Sequence, residues 1–139
     1  MFIRITHAVS VAPQIAPEDV ASAAAQGFRI IVNNRPDAES LDQPPGDAIA
    51  AACAAAGVAY IAIPIDHTGF NLDQVEAMMA ALEKGPLLAF CRSGTRSCNL
   101  WALAAARQGD DPAAIVAAAG QGGYNVAGLL PLFKQLAGG

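Results

Sequence analysis

The loop at residues 91–97, Cys-Arg-Ser-Gly-Thr-Arg-Ser, carries the residue types best suited to chemistry in this chain. It follows the apolar run at residues 86–90, and a helix is predicted to begin at about Ser97. The backbone N–H groups of a loop that curls into a helix N-terminus converge on the loop's centre, where the helix dipole also favours negative charge. The pattern predicts a nucleophilic cysteine, Cys91, in a cradle that binds anions.

The other residues of this loop fit the same chemistry. Gly94 permits a turn that a residue with a Cβ resists, and it leaves room for an anion. Arg96 can donate two parallel hydrogen bonds to an oxyanion, and the Ser97 hydroxyl could cap the helix or steady the thiolate. A free cysteine is more often a small buried hydrophobe, but such a cysteine needs neither two arginines nor a glycine beside it. The residues predicted to bind the substrate anion are Arg92, Ser93, Gly94, Thr95, Ser97 and, from another loop, Arg35.

Strands and helices alternate along the chain and must position this loop. The predicted strands are residues 2–6 (extending as far as Val11), 28–32, 58–63 and 86–90, and the predicted helices are residues 17–26, 47–56, 72–83, 97–108, 112–119 and 127–136. Apolar strands that alternate with helices favour a parallel sheet covered on both faces. We therefore predict one α/β domain over residues 1–139, with a mainly parallel central sheet flanked by helices.

Two further loops should meet the cysteine loop, because ligands of such sheets collect at the carboxyl ends of the strands. The loop at residues 64–69 contains Asp66, which could protonate a leaving alkoxide or could simply organise its own turn. The loop at residues 33–39 contains Arg35, which could recruit an anionic substrate or could instead pair with Asp37 or Glu39.

The composition bounds the remaining classes of function. A chain of 139 residues with a net charge of −4 can bury a core without disulfides or a structural metal, and it lacks the basic surface of a nucleic-acid-binding protein. The uncharged stretch at residues 48–65 is rich in alanine and interrupted by Gly57 and Pro64, so we expect a buried helix and strand rather than a membrane span.

The cysteines and the N-terminus both favour a cytoplasmic compartment. Three widely spaced cysteines indicate reduced thiols and a cytoplasmic protein. Cys53 is expected in the core, and Cys98 is expected to pack beneath its helix, with resolution of a persulfide or sulfenic acid on Cys91 as the alternative. No secretory signal is expected after Arg4. No metal-ligand spacing, dinucleotide fingerprint or phosphate-binding lysine motif is present, so no cofactor is predicted.

The loop and the wider chain resemble two different protein families. The loop at residues 91–97 resembles the Cys-Arg-x-Gly-x-Arg loop of rhodanese-type sulfurtransferases. The wider chain resembles the beta-lactamase-hydrolase-like, phosphatase-like family, a small bacterial domain with a fold similar to protein tyrosine and dual-specificity phosphatases. This second resemblance rests on residues 33–39, Gln43, 55–60, 63–65, 91–97 and 100–103. It implies the phosphatase-like fold and a separate metallo-beta-lactamase-like enzyme as a partner.

The two resemblances imply different chemistries. Phosphatases of this fold use His-Cys-x5-Arg, whereas here four residues separate Cys91 from Arg96 and Phe90 replaces the histidine. We therefore predict sulfur transfer, in which Cys91 accepts a sulfane sulfur from thiosulfate or a persulfide. The alternative is hydrolysis of a phosphate monoester through a phosphocysteine, with Asp66 as general acid. A module that binds a small anion without turnover is the third hypothesis.

Overall fold

The computed structural model describes residues 1–138 as five strands, six α-helices and one 3-10 turn. In chain order these are β1 (Ile3–Thr6), β2 (Val9–Ala12), α1 (Pro17–Ala25), β3 (Ile30–Asn33), α2 (Gly46–Ala56), β4 (Ala59–Ala62), α3 (Leu72–Leu82), β5 (Leu87–Phe90), α4 (Thr95–Arg107), α5 (Pro112–Gln121), the 3-10 turn Ala127–Leu129 and α6 (Leu130–Gly138).

The five strands form one sheet in the order β1-β2-β5-β3-β4. β1 and β2 are antiparallel, and every other neighbouring pair is parallel. In the central strand, Phe90 lies opposite Ala12 on one side and Asn33 on the other. Because these three strands end level with one another, the loops that follow β2, β3 and β5 meet at one edge of the sheet.

Helices cover both faces of the sheet, as the alternating directions of strand side chains require. On one face, Val32 and Ala89 pack in a core with α3, α4, α5 and α6, and this core includes Leu100 and Phe133. On the other face, Ile31, Leu88 and Phe90 pack against α1 and α2 in a second core, which contains Cys53. Cys53 and Cys98 are both fully buried, as predicted. The predicted α/β architecture is confirmed.

Local sequence explains where several helices begin and end. Asn71 caps α3: its Oδ1 accepts from the Gln74 backbone N–H at 2.8 Å, and the Gln74 side chain accepts from the Asn71 N–H at 2.8 Å. Pro17 opens α1, and Gly57 ends α2 in the left-handed conformation at φ 75°.

Several predicted boundaries were wrong. The first strand does not extend to Val11, because the chain turns at Thr6, whose hydroxyl accepts from the Ala8 N–H at 3.1 Å, and a separate strand then follows. β4 is a half-exposed edge strand rather than one covered on both faces. The predicted helix 127–136 begins as a 3-10 turn and becomes α-helical only at Leu130. α4 begins at Thr95, two residues before the predicted Ser97.

Candidate active site

Cys91 follows β5 directly and lies fully buried at the base of its loop. Its backbone N–H donates to the Ala12 carbonyl at 3.3 Å, which fixes the start of the loop to β2. The Gly94 N–H donates to Cys91 Sγ at 3.1 Å. Gly94 is the N-cap of α4 at φ 88°, a left-handed conformation that favours glycine. The loop thus turns one N–H group and the N-terminus of a 13-residue helix towards the sulfur.

The carbonyl groups of the loop are held on its outer side. The Arg92 carbonyl accepts from the Gln14 N–H at 3.4 Å, and the Ser93 carbonyl accepts from the Tyr124 hydroxyl at 3.0 Å. In a trans peptide the N–H points away from the carbonyl of the same unit, so the N–H groups of Ser93 and Gly94 face the loop interior. The Ser93 and Thr95 hydroxyls lie 3.1 Å apart at the exposed rim.

The Arg96 guanidinium is fixed by three hydrogen bonds. Its Nη1 donates to Glu39 Oε2 at 2.7 Å and to the Ile65 carbonyl at 2.8 Å, and its Nη2 donates to Glu39 Oε1 at 2.9 Å. The Glu39 carboxylate raises the pKa of Arg96, and the nearby Cys91 sulfur adds to the effect. A guanidinium has five N–H donors. The Nε–H and the second Nη2–H share one edge, and among residues 1–138 neither has an oxygen acceptor, while the Cys91 sulfur lies near enough to the guanidinium to raise its pKa. That edge can donate two parallel hydrogen bonds to an oxyanion.

Glu39 joins two arginines. Besides Arg96, it accepts from Arg35 Nε at 3.0 Å, and these partners, Arg96 first, lower its pKa from 4.5 to about 2. Arg35 is buried and also donates to the Gln14 side chain at 3.1 Å and to the Ser40 hydroxyl at 3.3 Å. The predicted pairing of Arg35 with Glu39 is confirmed, and its role in anion binding stays a prediction.

Ser97 makes a contact that the sequence did not predict. Its buried hydroxyl donates to Asn34 Oδ1 at 2.8 Å, and Asn34 Nδ2 donates to the Ile63 carbonyl at 2.9 Å. This chain of hydrogen bonds ties α4 to the ends of β3 and β4. Ser97 therefore fixes the arrangement of the three loops, while its oxygen keeps acceptor capacity.

Asp66 organises its own turn, which is one of the two roles predicted for it, the other being a general acid. The exposed carboxylate accepts from both the hydroxyl and the backbone N–H of Thr68, the latter at 2.9 Å. These bonds, the hydroxyl first, lower the pKa of Asp66. The residue follows Ile65, whose carbonyl holds Arg96, so this loop touches the candidate site. A general-acid role for Asp66 stays a prediction.

Sequence reasoning missed two contributors to the site, Asn34 and Tyr124, and it missed the contact of Glu39 with Arg96. Glu39 and Asn34 lie in the polar loop after β3, which was singled out, but their long-range partners come from α4 and β4. Tyr124 lies between α5 and the 3-10 turn, 31 residues from Ser93, and nothing in its own segment indicates the contact. Among residues 1–138, no three His, Cys, Asp or Glu side chains gather in a way that could hold a metal ion. In the same range, no helix has the length and apolar character needed to cross a bilayer.

Comparison with protein families identifies the domain. The family described as beta-lactamase hydrolase-like protein, phosphatase-like domain, matches residues 2–108. The chain belongs to this family. The chain is 34% identical over 103 residues to the beta-lactamase hydrolase-like protein of Xylella fastidiosa strain Temecula1, and 36% identical over 110 residues to that of Agrobacterium fabrum. These matches cover 73% and 77% of this chain. The aligned region spans 24% and 25% of those relatives, about a quarter of their length.

Solved structures agree with this family assignment. A candidate phosphatase from Neisseria meningitidis Z2491 is 26% identical, with a TM-score of 0.80 and coverage of 96% of each chain. PTPMT1 superposes with a TM-score of 0.71 at 18% identity, covering 99% of this chain and 97% of its own. Human DUSP28 superposes with a TM-score of 0.65 at 19% identity, covering 99% of this chain and 94% of its own. The phosphatase-like fold is confirmed, and none of these similarities favours the predicted sulfur transfer.

Proposed function

We propose that this phosphatase-like domain is a cysteine-dependent phosphatase that hydrolyses phosphate monoesters through a phosphocysteine at Cys91. One observation carries the proposal: the open Nε/Nη2 edge of Arg96 belongs to a guanidinium that Glu39 and the Ile65 carbonyl already hold in place. A donor fixed before the substrate arrives needs no reorganisation as charge develops on the phosphoryl oxygens. The phosphatase-like fold supports the same choice.

The reaction would take two steps. In the first, the Cys91 thiolate attacks phosphorus, the S–P bond forms, and the P–O bond to the leaving alcohol breaks. Arg96 and the N–H groups of Ser93 and Gly94 would hold the phosphoryl oxygens during the transfer. In the second, water attacks phosphorus and the S–P bond breaks, which releases inorganic phosphate and returns the thiolate.

The leaving group decides whether a proton donor is needed. An aryl oxide leaves without protonation, whereas an alkoxide requires a general acid, for which Asp66 is the predicted residue. The Thr68 hydroxyl favours the ionised form of Asp66 by lowering its pKa. We therefore expect aryl phosphates to be turned over faster than alkyl phosphates at neutral pH.

Sulfur transfer is the second candidate, and the spacing of the loop favours it. Four residues rather than five separate Cys91 from Arg96, so the ring offers fewer N–H groups to the three outer oxygens of a phosphoryl group. The same cradle would stabilise a persulfide anion on Cys91. Sulfur transfer through this persulfide needs no general acid.

Parallel assays on one preparation separate the candidates. The chain is incubated with an aryl phosphate, and separately with thiosulfate and cyanide as sulfur acceptor. Cys91→Ser is the inactive variant, and Cys53→Ala, in the core on the far face of the sheet, is the matched control. We expect phosphate release, a phosphoryl group on Cys91 in acid-quenched samples by mass spectrometry, and activity retained in Cys53→Ala.

Each other outcome points to one alternative. A Cys91 persulfide with thiocyanate formation and no phosphate release would establish sulfur transfer instead. Binding of inorganic phosphate without either turnover would leave an anion-binding module.

A further inference from the structure

We propose that Tyr124 is a positioning residue of the catalytic loop, whose hydroxyl selects the orientation of the Ser93–Gly94 peptide that directs the Gly94 N–H at Cys91. For its effect on turnover the proposal rests on the proposed phosphatase function. For its effect on the cysteine itself it stands on the geometry alone.

The two decisive hydrogen bonds belong to one peptide group. The Tyr124 hydroxyl donates to the Ser93 carbonyl at 3.0 Å, and the Gly94 N–H donates to Cys91 Sγ at 3.1 Å. The carbonyl and the N–H of a trans peptide point in opposite directions. Holding the carbonyl outward therefore holds the N–H inward, on the sulfur.

The loop needs such a constraint because Gly94 is permissive. At φ 88° Gly94 lies in a left-handed region that glycine enters as readily as the common ones, so the peptide before it rotates more easily than one between two residues with a Cβ. Rotation by half a turn would place the Ser93 carbonyl oxygen in the cradle, where it would repel both a thiolate and a phosphoryl oxygen. The Arg92 carbonyl has a backbone donor, Gln14, whereas the Ser93 carbonyl has the Tyr124 side chain.

Tyr124 is itself well placed to act on the loop. The left-handed Gly123, at φ 90°, turns the chain after α5, and the Tyr124 N–H returns to the Ala119 carbonyl at 3.0 Å. A Cβ added to Gly94 would collide with the Tyr124 hydroxyl. Burial raises the pKa of Tyr124, and the neighbouring Cys98 and Cys91 side chains add to the effect, so the phenol keeps the proton that it donates.

The test compares Tyr124→Phe with the wild-type chain. The substitution removes one hydroxyl and leaves the ring in place. Tyr60→Phe is the matched control, because it removes the hydroxyl of the only other tyrosine, which contacts Asn33 rather than the cysteine loop. Alkylation of Cys91 by iodoacetate is followed by mass spectrometry across a range of pH, alongside kcat and KM for an aryl phosphate, the protection of Cys91 by inorganic phosphate, and the melting temperature.

We expect Tyr124→Phe to slow alkylation of Cys91 at neutral pH by about tenfold, the order of one hydrogen bond to a charged group, and to move the alkylation profile to higher pH. We expect kcat to fall by a similar factor and the protection of Cys91 by phosphate to weaken, because a rotated Ser93 carbonyl repels the anion. Tyr60→Phe should match the wild type in every measurement.

Two results would overturn the proposal. One is an alkylation profile in Tyr124→Phe that coincides with the wild type. The other is a large loss of melting temperature, which would mean that the hydroxyl stabilises the fold rather than the loop. Because alkylation requires no turnover, a chain without phosphatase activity would refute the proposed function and still report on Tyr124.

Discussion

Arg96 combines two tasks that only a planar, forked cation can perform together. It donates two hydrogen bonds to the Glu39 carboxylate from one edge and presents another edge to the site. We predict that Arg96→Lys lowers kcat/KM for an aryl phosphate by about 10²–10³-fold, the range typical of losing a fixed oxyanion donor, without unfolding the chain. Arg107→Lys is the control, because Arg107 contacts Glu76 at 4.0 Å and the Leu136 carbonyl, remote from the cysteine loop. Turnover by Arg96→Lys within threefold of wild type would remove Arg96 from the site.

Glu39 links the site to stability through its ionisation. Its pKa falls from 4.5 to about 2 on folding, so its contribution to the free energy of unfolding is complete above pH 4.5 and is lost as the pH falls towards 2. We predict that the wild-type chain loses about 1–2 kcal/mol more stability than Glu39→Gln between pH 6 and pH 3, less than the full shift because the ion pairs are partly open to solvent. Urea unfolding at the two pH values measures this.

The exposed carboxylate of Glu76 provides the matched control for Glu39. It faces Arg107 at 4.0 Å and is 53% exposed, so Glu76→Gln should show the same acid sensitivity as the wild type. Equal losses of stability in the wild type and in Glu39→Gln would show that the ion pairs with the two arginines do not stabilise the fold.

At the scale of elements, the loop between β4 and α3 brings two groups to the site, and only one of them is bound to the catalytic loop. The Ile65 carbonyl is fixed on Arg96, whereas Asp66 is bound only to Thr68 within its own turn. If Asp66 is the general acid, Thr68→Val should raise its pKa by removing the hydroxyl that lowers it most. We predict that the alkaline limb of kcat against pH for an alkyl phosphate then moves to higher pH.

The matched measurements for this loop use Asp66→Asn and an aryl substrate. Asp66→Asn should slow alkyl phosphates by about 10²–10⁴-fold and spare aryl phosphates, as expected for loss of a general acid. An alkaline limb that stays in place in Thr68→Val, with alkyl turnover unchanged in Asp66→Asn, would assign Asp66 to the turn alone.

The sequence could predict the elements better than their contacts, for a physical reason. Apolar runs, helix caps such as Asn71 and the Cys-to-Arg loop are local patterns, and local backbone preferences determine them. The hydrogen bonds between Arg96 and Glu39 join residues 57 positions apart, and no local pattern encodes them. The split of the first strand was missed because residues 2–11 are β-forming on both sides of the turn in which the Thr6 hydroxyl accepts from the Ala8 N–H.

At the scale of the whole molecule, the family match ends at residue 108, but residues beyond this point also belong to the hydrophobic core. Ile115 and Phe133, from α5 and α6, are buried in the same core as Leu100 of α4. Arg107 also donates to the Leu136 carbonyl at 3.3 Å, which joins the end of α4 to α6. The last thirty or so residues thus complete the face of the sheet on which α4 lies, and one of them, Tyr124, reaches the cysteine loop.

If residues 1–139 form one cooperative domain, a cavity far from the site must destabilise the site as well. Phe133 is fully buried, so we predict that Phe133→Ala lowers the free energy of unfolding by about 3–4 kcal/mol. Its neighbour Leu132 is 42% exposed, and Leu132→Ala should cost less than about 1 kcal/mol. Urea unfolding followed in parallel by circular dichroism and by loss of phosphatase activity should give coincident transitions in both variants. If α5 and α6 were instead an independent unit, Phe133→Ala would produce an early transition in circular dichroism while activity persisted to the wild-type midpoint, because the cysteine loop would still rest on an intact sheet.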